Sequence, residues 1–249
     1  MTISNEYELE RLKIIGSIVA RTIKAMRLAL EPGITPRELD RIGAAVLERE
    51  GALSAPATSY GFPAATCISV NMDIAHGIPG DRPIAGGDLV NIDVSASKDG
   101  IFADAGASFL VPPGAPRLER LVADGRRALG VGLAEARAGR PLAGIGNAIG
   151  RFARARRYTL VRNLASHGIG RSLHEEPKEI ATWPDRREQR RITDGLVFTV
   201  EPFLSLGATW AVDGGDGWTL RAHPAAPTVQ FEHTIVATRS GPLIVTRAD

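Results

Sequence analysis

Between Tyr7 and Leu30, apolar side chains at Leu9, Leu12, Val19, Ile23, Met26 and Leu30 recur at helical spacing, with charged residues between them. This pattern predicts an amphipathic helix, which Glu31-Pro32-Gly33 stops. Thr35-Pro36-Arg37-Glu38 has the form of a capping box with proline at the first helical position. A second helix is expected from there, through Leu39, Ile42 and Val46, ending near Gly51 in a left-handed cap. The period then changes. Residues 66–70 and 89–94 alternate apolar and polar positions, as half-buried strands do. Lys98-Asp99-Gly100 signals a turn, Ile101 to Val111 returns as a second strand, and Pro112-Pro113-Gly114 ends the segment.

The order then repeats. Residues 116–138 and 143–157 read as helices, and strand-like segments follow, with Leu196 to Phe203 and Phe231 to Ala237 flanking a stretch containing Gly, Asp and Trp. Gly87 to Asp93 and Gly195 to Glu201 each open on glycine and finish with a carboxylate on an apolar strand. Helix, helix and strands, twice, predict two related halves, about 1–111 and 112–249, packed as one α/β domain over residues 1–249.

Composition narrows the function class. The chain has 249 residues, 44% hydrophobic and 23% charged, and a net charge of +2. Those values describe a globular protein rather than a disordered one, and they give no argument for a specific nucleic-acid partner. One cysteine, Cys67, excludes an intramolecular disulfide framework and a cysteine-rich zinc site, and fits a reducing cytoplasm. The N-terminus lacks a basic region followed by an apolar run, and no apolar stretch approaches the ~20 residues of a membrane span. The arginine-rich stretches 151–157 and 185–191 read most simply as solvated helix and loop faces.

The chemistry concentrates in four acids. Asp93 stands within an apolar strand, and Asp104 follows across the Lys98-Asp99-Gly100 turn, so the two are expected nearly opposite each other on one face. Glu201 and Glu232 pose the same problem on the second pair of strands. Buried carboxylates this close cannot all stay ionised without a cation between them. Any one of them could be a hydrogen-bonded core acid. Four on strand-like segments point to divalent metal. His167, in Ser166-His167-Gly168-Ile169-Gly170, and His174 lie in a glycine-containing segment where backbone and substrate can approach closely.

As an ordered set, His76-Gly77-Ile78-Pro79, Asn91-Ile92-Asp93-Val94, His167-Gly168-Ile169-Gly170-Arg171, His174-Glu175-Glu176-Pro177, Phe198-Thr199-Val200-Glu201-Pro202, Asp216-Gly217-Trp218 and Glu232-His233-Thr234-Ile235-Val236 resemble the methionine aminopeptidases, in particular the short bacterial type I form. The resemblance runs from the first helix to about Val245. It implies the pita-bread fold, a curved antiparallel sheet flanked by two pseudo-symmetric helix pairs. It implies Asp93, Asp104, His167, Glu201 and Glu232 as ligands of two divalent ions, with Asp104 and Glu232 bridging, and His76 and His174 as substrate-facing histidines. An oxygen-rich site with one imidazole suits Mn²⁺, Fe²⁺ or Co²⁺, with Zn²⁺ also admissible.

The implied reaction is removal of the initiator methionine from peptides and nascent chains, with any ribosome contact made by the protein's own surface. Water between two cations loses a proton near neutral pH and becomes the nucleophile. Glu201 would carry the proton to the leaving amine, His174 would stabilise the oxyanion, and His76 would contact the next peptide nitrogen. Phe62, Cys67 and Trp218 would form a small apolar pocket for a thioether. Pro56 and Ser59 stand where larger pocket residues are expected, and Leu173 replaces an aromatic before His174. Ala75 precedes His76, and Ala105 removes a hydroxyl beside Asp104. Two rival readings use the same ligands or fold. A prolidase or Xaa-Pro aminopeptidase would usually add a large N-terminal domain, for which the residues before Cys67 leave no room. A non-catalytic relative would be expected to have lost ligands.

Overall fold

The computed structural model describes residues 1–247. The two predicted opening helices are α1 (Glu6–Ala29) and α2 (Pro36–Arg49). Asn5 caps α1 by accepting the Glu8 N–H, and the Thr35/Glu38 capping box of α2 is formed in both directions. Gly51, just past α2, takes φ 64°, the left-handed conformation expected of it. Next come β1 (Leu53–Ser54), α3 (Ala55–Tyr60), β2 (Cys67–Val70), β3 (Asp73–Ala75), β4 (Leu89–Lys98) and β5 (Ile101–Leu110). The second helix pair is α4 (Pro116–Leu133) and α5 (Ala143–Ala155), each shorter than its apolar pattern predicts at the C-terminal end. The remaining strands are β6 (Thr159–Leu160), β7 (Ser166–Gly168), β8 (Glu175–Ile180), β9 (Val197–Val200), β10 (Phe203–Ser205), β11 (Trp210–Asp213), β12 (Leu220–His223), β13 (Thr228–Gln230), β14 (His233–Thr238) and β15 (Gly241–Ile244).

All pairings between these strands are antiparallel. One sheet joins β1, β4, β2 and β5, and another runs β15-β14-β9-β7-β8. Leu12, Ile15, Val19 and Met26 of α1 pack with Ile68, Val90, Ile92 and Val94 of the first sheet. Leu121, Leu129, Ile145 and Ile149 of α4 and α5 pack with Phe198, Val200 and Ile235 of the second. Each helix pair therefore covers one face of its sheet and leaves the other for the site.

The seam between the sheets positions that site. An isolated bridge pairs Ala107 with Phe231, and the Glu232 N–H donates to the Gly106 carbonyl at 2.8 Å. Thr234 accepts the Asp104 N–H at 2.9 Å and donates to the Asp104 carbonyl at 2.7 Å. The Gln230 side chain fills the space over Gly106, where an added Cβ would stand 2.2 Å from its Oε1. The absence of a Cβ at Gly106 leaves room for the Gln230 amide to lie across the seam. The chain start lies against the second sheet. Val197 N–H donates to the Met1 carbonyl, and the Met1 ammonium pairs with Glu175.

Candidate metal centre and substrate pocket

The hairpin β4–β5 pairs Lys98 with Ile101 around the two-residue turn Asp99-Gly100. In that register Asp93 faces Gly106, and Asp104 faces Ser95. Asp93 and Asp104, expected nearly opposite each other on one face, are diagonal neighbours, two positions apart. The turn length fixes this, and because side chains alternate with period two they still share a face. The predicted strand from Leu196 to Phe203 is also corrected. It ends at Val200, and a new strand starts at Phe203, because Pro202 has no N–H for the ladder. Glu201 lies in this break. His233 pairs with Val200, so Glu232 and Glu201 flank the same end of the β9–β14 pair.

Among the described residues, Asp104, His167 and Glu232 bring one ligand atom each within 4.8 Å of one another. His167 Nε2 lies 4.0 Å from Asp104 Oδ2 and 3.6 Å from Glu201 Oε1. Asp93 lines the same cavity and raises the pKa of Glu232 through its charge. All five predicted acid and histidine positions therefore meet in one place.

Electrostatics make the cluster untenable as an ordinary core. Burial pushes Asp104 up to about 6, moderated by the Ser95 hydroxyl on the facing strand. Burial, together with the neighbouring carboxylates, raises Asp93 and Glu232 well above the usual range. Glu201 is raised by burial and by Asp104, against the lowering effect of the Thr199 hydroxyl, which donates to its Oε1 at 2.7 Å. Asp104 Oδ1 and Glu232 Oε1 are buried with no hydrogen-bond partner. Such orphaned acceptors are costly unless a cation meets them.

His167 Nδ1 lies 3.0 Å from the Gly168 carbonyl, which can only accept, so Nδ1 carries the hydrogen and Nε2 a lone pair. Burial lowers its pKa to about 3, which keeps the ring neutral. A lone pair facing two carboxylates is repulsive, and it is the arrangement a divalent ion needs. The donor set fits such ions.

Around this cluster lies a cavity of about 550 Å³. Phe62, Cys67 and Trp218 line it, with the Phe62 and Trp218 rings edge to face at 5.2 Å. Pro56, Ala75 and Leu173 line it too. Cys67 pairs with Asp93 in the sheet, and burial holds its thiol well above the ordinary value, so it presents a neutral apolar surface. His76 and His174 reach the cavity from separate segments, His76 on a backbone at φ 51° that few non-glycine residues adopt. Burial lowers the pKa of both. That lowering favours the uncharged ring in each.

Sequence reasoning missed the supports of this site. Thr199 also accepts the His167 N–H at 3.0 Å, and Ser166 accepts the Glu201 N–H at 2.9 Å. Gln230 donates to Glu232 Oε2 and accepts from Asn91, both at 2.8 Å. Thr199 had a legible signal, since it stands two positions before Glu201. Gln230 stands two positions before Glu232 in the same way, but its other partner, Asn91, comes from the first sheet.

The model of metallopeptidase family M24 matches residues 10–239. The chain belongs to this family. Its relatives include methionine aminopeptidase 2 of Bacillus subtilis (strain 168), 44% identical over 248 residues that cover 99% of this chain and all of that one. A methionine aminopeptidase crystal structure from Rickettsia prowazekii superposes with a TM-score of 0.94 at 32% identity, covering 99% of this chain and 100% of that one. The one from Thermotoga maritima gives 0.95 at 28%, with the same coverage. Within M24 the chain therefore groups with the methionine aminopeptidases, and its fold is the pita-bread arrangement. Membership in a metallopeptidase family and the Asp–His–Glu cluster agree on divalent metal use. Among the described residues, no helix is long and apolar enough to cross a membrane.

Proposed function

We propose that this protein removes N-terminal methionine from peptides and nascent chains, with Asp93, Asp104, His167, Glu201 and Glu232 holding two divalent ions between them. The observation that carries this reading is the buried cluster in which Asp104, His167 and Glu232 bring ligand atoms within 4.8 Å of one another while Asp104 Oδ1 and Glu232 Oε1 have no hydrogen-bond partner. When bound, the ions supply Lewis acidity and bring the pKa of water down to near neutrality, which provides a nucleophile. Mn²⁺, Fe²⁺ and Co²⁺ suit the oxygen-rich donors best, and Zn²⁺ is admissible.

The chain's own residues do the rest. Phe62, Cys67 and Trp218 take the methionine side chain and exclude water from it. Glu201, oriented by Thr199, moves a proton from water to the leaving amine. His174 donates to the scissile carbonyl oxygen as negative charge develops there, and His76 holds the following peptide nitrogen. Nascent-chain substrates imply a cytoplasmic setting and a transient ribosome contact through the protein's own surface.

Methionine preference is the part that Pro56 and Leu173 bear on, since both line the pocket. The test is hydrolysis of Met-Ala-Ser against Leu- and Ala-initial peptides and proline-containing dipeptides, with Mn²⁺ or Co²⁺ added. Fastest cleavage of the methionine peptide is expected. Cleavage of proline dipeptides alone, or of nothing, would sink the proposal.

A further inference from the structure

Tyr60 closes α3, and Gly61 in the left-handed conformation (φ 75°) ends the helix behind it. Its hydroxyl lies 2.7 Å from His174 Nδ1, a bond between residues 114 apart in sequence. The contact crosses the mouth of the cavity, from the first sheet's side to the loop between β7 and β8. Tyr60 is half exposed, its ring tilted 48° to the imidazole at 5.7 Å. The His167 ring stacks on His174 at 4.0 Å. The imidazole is thus held from two directions, and among the described residues Tyr60 is the hydrogen-bond partner of its ring.

A neutral imidazole carries one hydrogen, and the partner of one nitrogen decides where it sits. A phenol is a stronger donor than a neutral imidazole N–H, and an imidazole nitrogen is a stronger acceptor than a phenol oxygen. The better arrangement has Tyr60 donating and Nδ1 accepting. Nε2 then bears the hydrogen. In the other tautomer Nε2 would present a lone pair to the substrate's carbonyl oxygen and repel it as charge develops.

We propose that Tyr60 is a positioning residue that holds His174 as its Nε2–H tautomer, aimed at the scissile carbonyl. This rests on the reading of His174 given above. The measurements use this chain loaded with metal. Tyr60→Phe should lower kcat on Met-Ala-Ser by about 3–10-fold, the worth of one such hydrogen bond, with KM and metal content unchanged. In a His174→Ala background the same change should cost nothing. Nitrogen-15 spectra of the diamagnetic zinc-loaded protein, labelled at histidine, should show the hydrogen on Nε2 of His174 in the wild type and a mixture of tautomers in Tyr60→Phe.

Equal losses in both backgrounds would overturn the proposal, as would a wild-type spectrum with the hydrogen on Nδ1. So would a Tyr60→Phe enzyme with normal kcat and an unchanged tautomer. Full activity of His174→Ala alone would instead remove the role given to His174, and the spectra would still decide what Tyr60 does to that ring.

Discussion

His167 has its Nδ1 hydrogen committed to the Gly168 carbonyl, and its other nitrogen faces carboxylates at 3.6 and 4.0 Å. Thr199 ties this residue to Glu201 by accepting the His167 N–H and donating to Oε1. One hydroxyl therefore orders two ligands. Thr199→Val keeps the shape and deletes both bonds, so metal affinity or activity should fall about 10–100-fold. Isothermal titration with Mn²⁺ measures the first, and an unchanged affinity would show that the hydroxyl does not organise the site. At this scale the four acids were legible because an acid among apolar neighbours needs an explanation, and His167 through the glycine-containing motif around it. Tyr60 and Gln230 were not, since each looks ordinary until its distant partner is known.

The hairpin and the two helix pairs were legible as elements because they are long and periodic. Their internal register was less so. The two-residue turn at Asp99-Gly100 sets Asp93 diagonal to Asp104, and a single-residue difference in turn length would have changed that relation. Helix α3 was missed because six residues carry no period, although Ser54 accepting the Ala57 N–H and Pro56 in the first turn are its start signals. The seam between the sheets is where an element-level change should matter most. Gly106→Ala would push the Gln230 side chain off Glu232, since the new methyl overlaps its amide. A cost of about 1–3 kcal/mol is expected from overpacking. Urea unfolding would measure it, and a stability equal to wild type would mean that the seam yields without strain.

For the whole molecule, the acid cluster links folding to metal and pH. Asp104 is raised to about 6, and Asp93, Glu201 and Glu232 are raised well above their ordinary values. For a carboxyl raised in this way, the metal-free fold is favoured below the unfolded pKa of about 4 and loses that advantage as pH rises through the folded value. A bound cation removes the penalty. The melting-temperature gap between Mn²⁺-loaded and EDTA-treated protein should therefore widen from pH 5 to pH 8, measured by differential scanning fluorimetry. A gap that narrows would contradict the electrostatic account. Patterning located the four acids and the family resemblance brought them together, whereas the contacts that do so, from the Glu232 N–H to the Gly106 carbonyl and between the Thr234 hydroxyl and the Asp104 backbone, join distant segments and left no local signal.

The central claim is that these five side chains hold the ions on which peptide cleavage depends. Stripping the protein with EDTA, restoring Mn²⁺ in steps, and following Met-Ala-Ser hydrolysis beside bound metal tests it most directly. The account predicts no cleavage when stripped and recovery as metal fills the site, saturating at two ions per chain, with Glu232→Gln failing to recover. Equal cleavage by stripped and restored protein would contradict it.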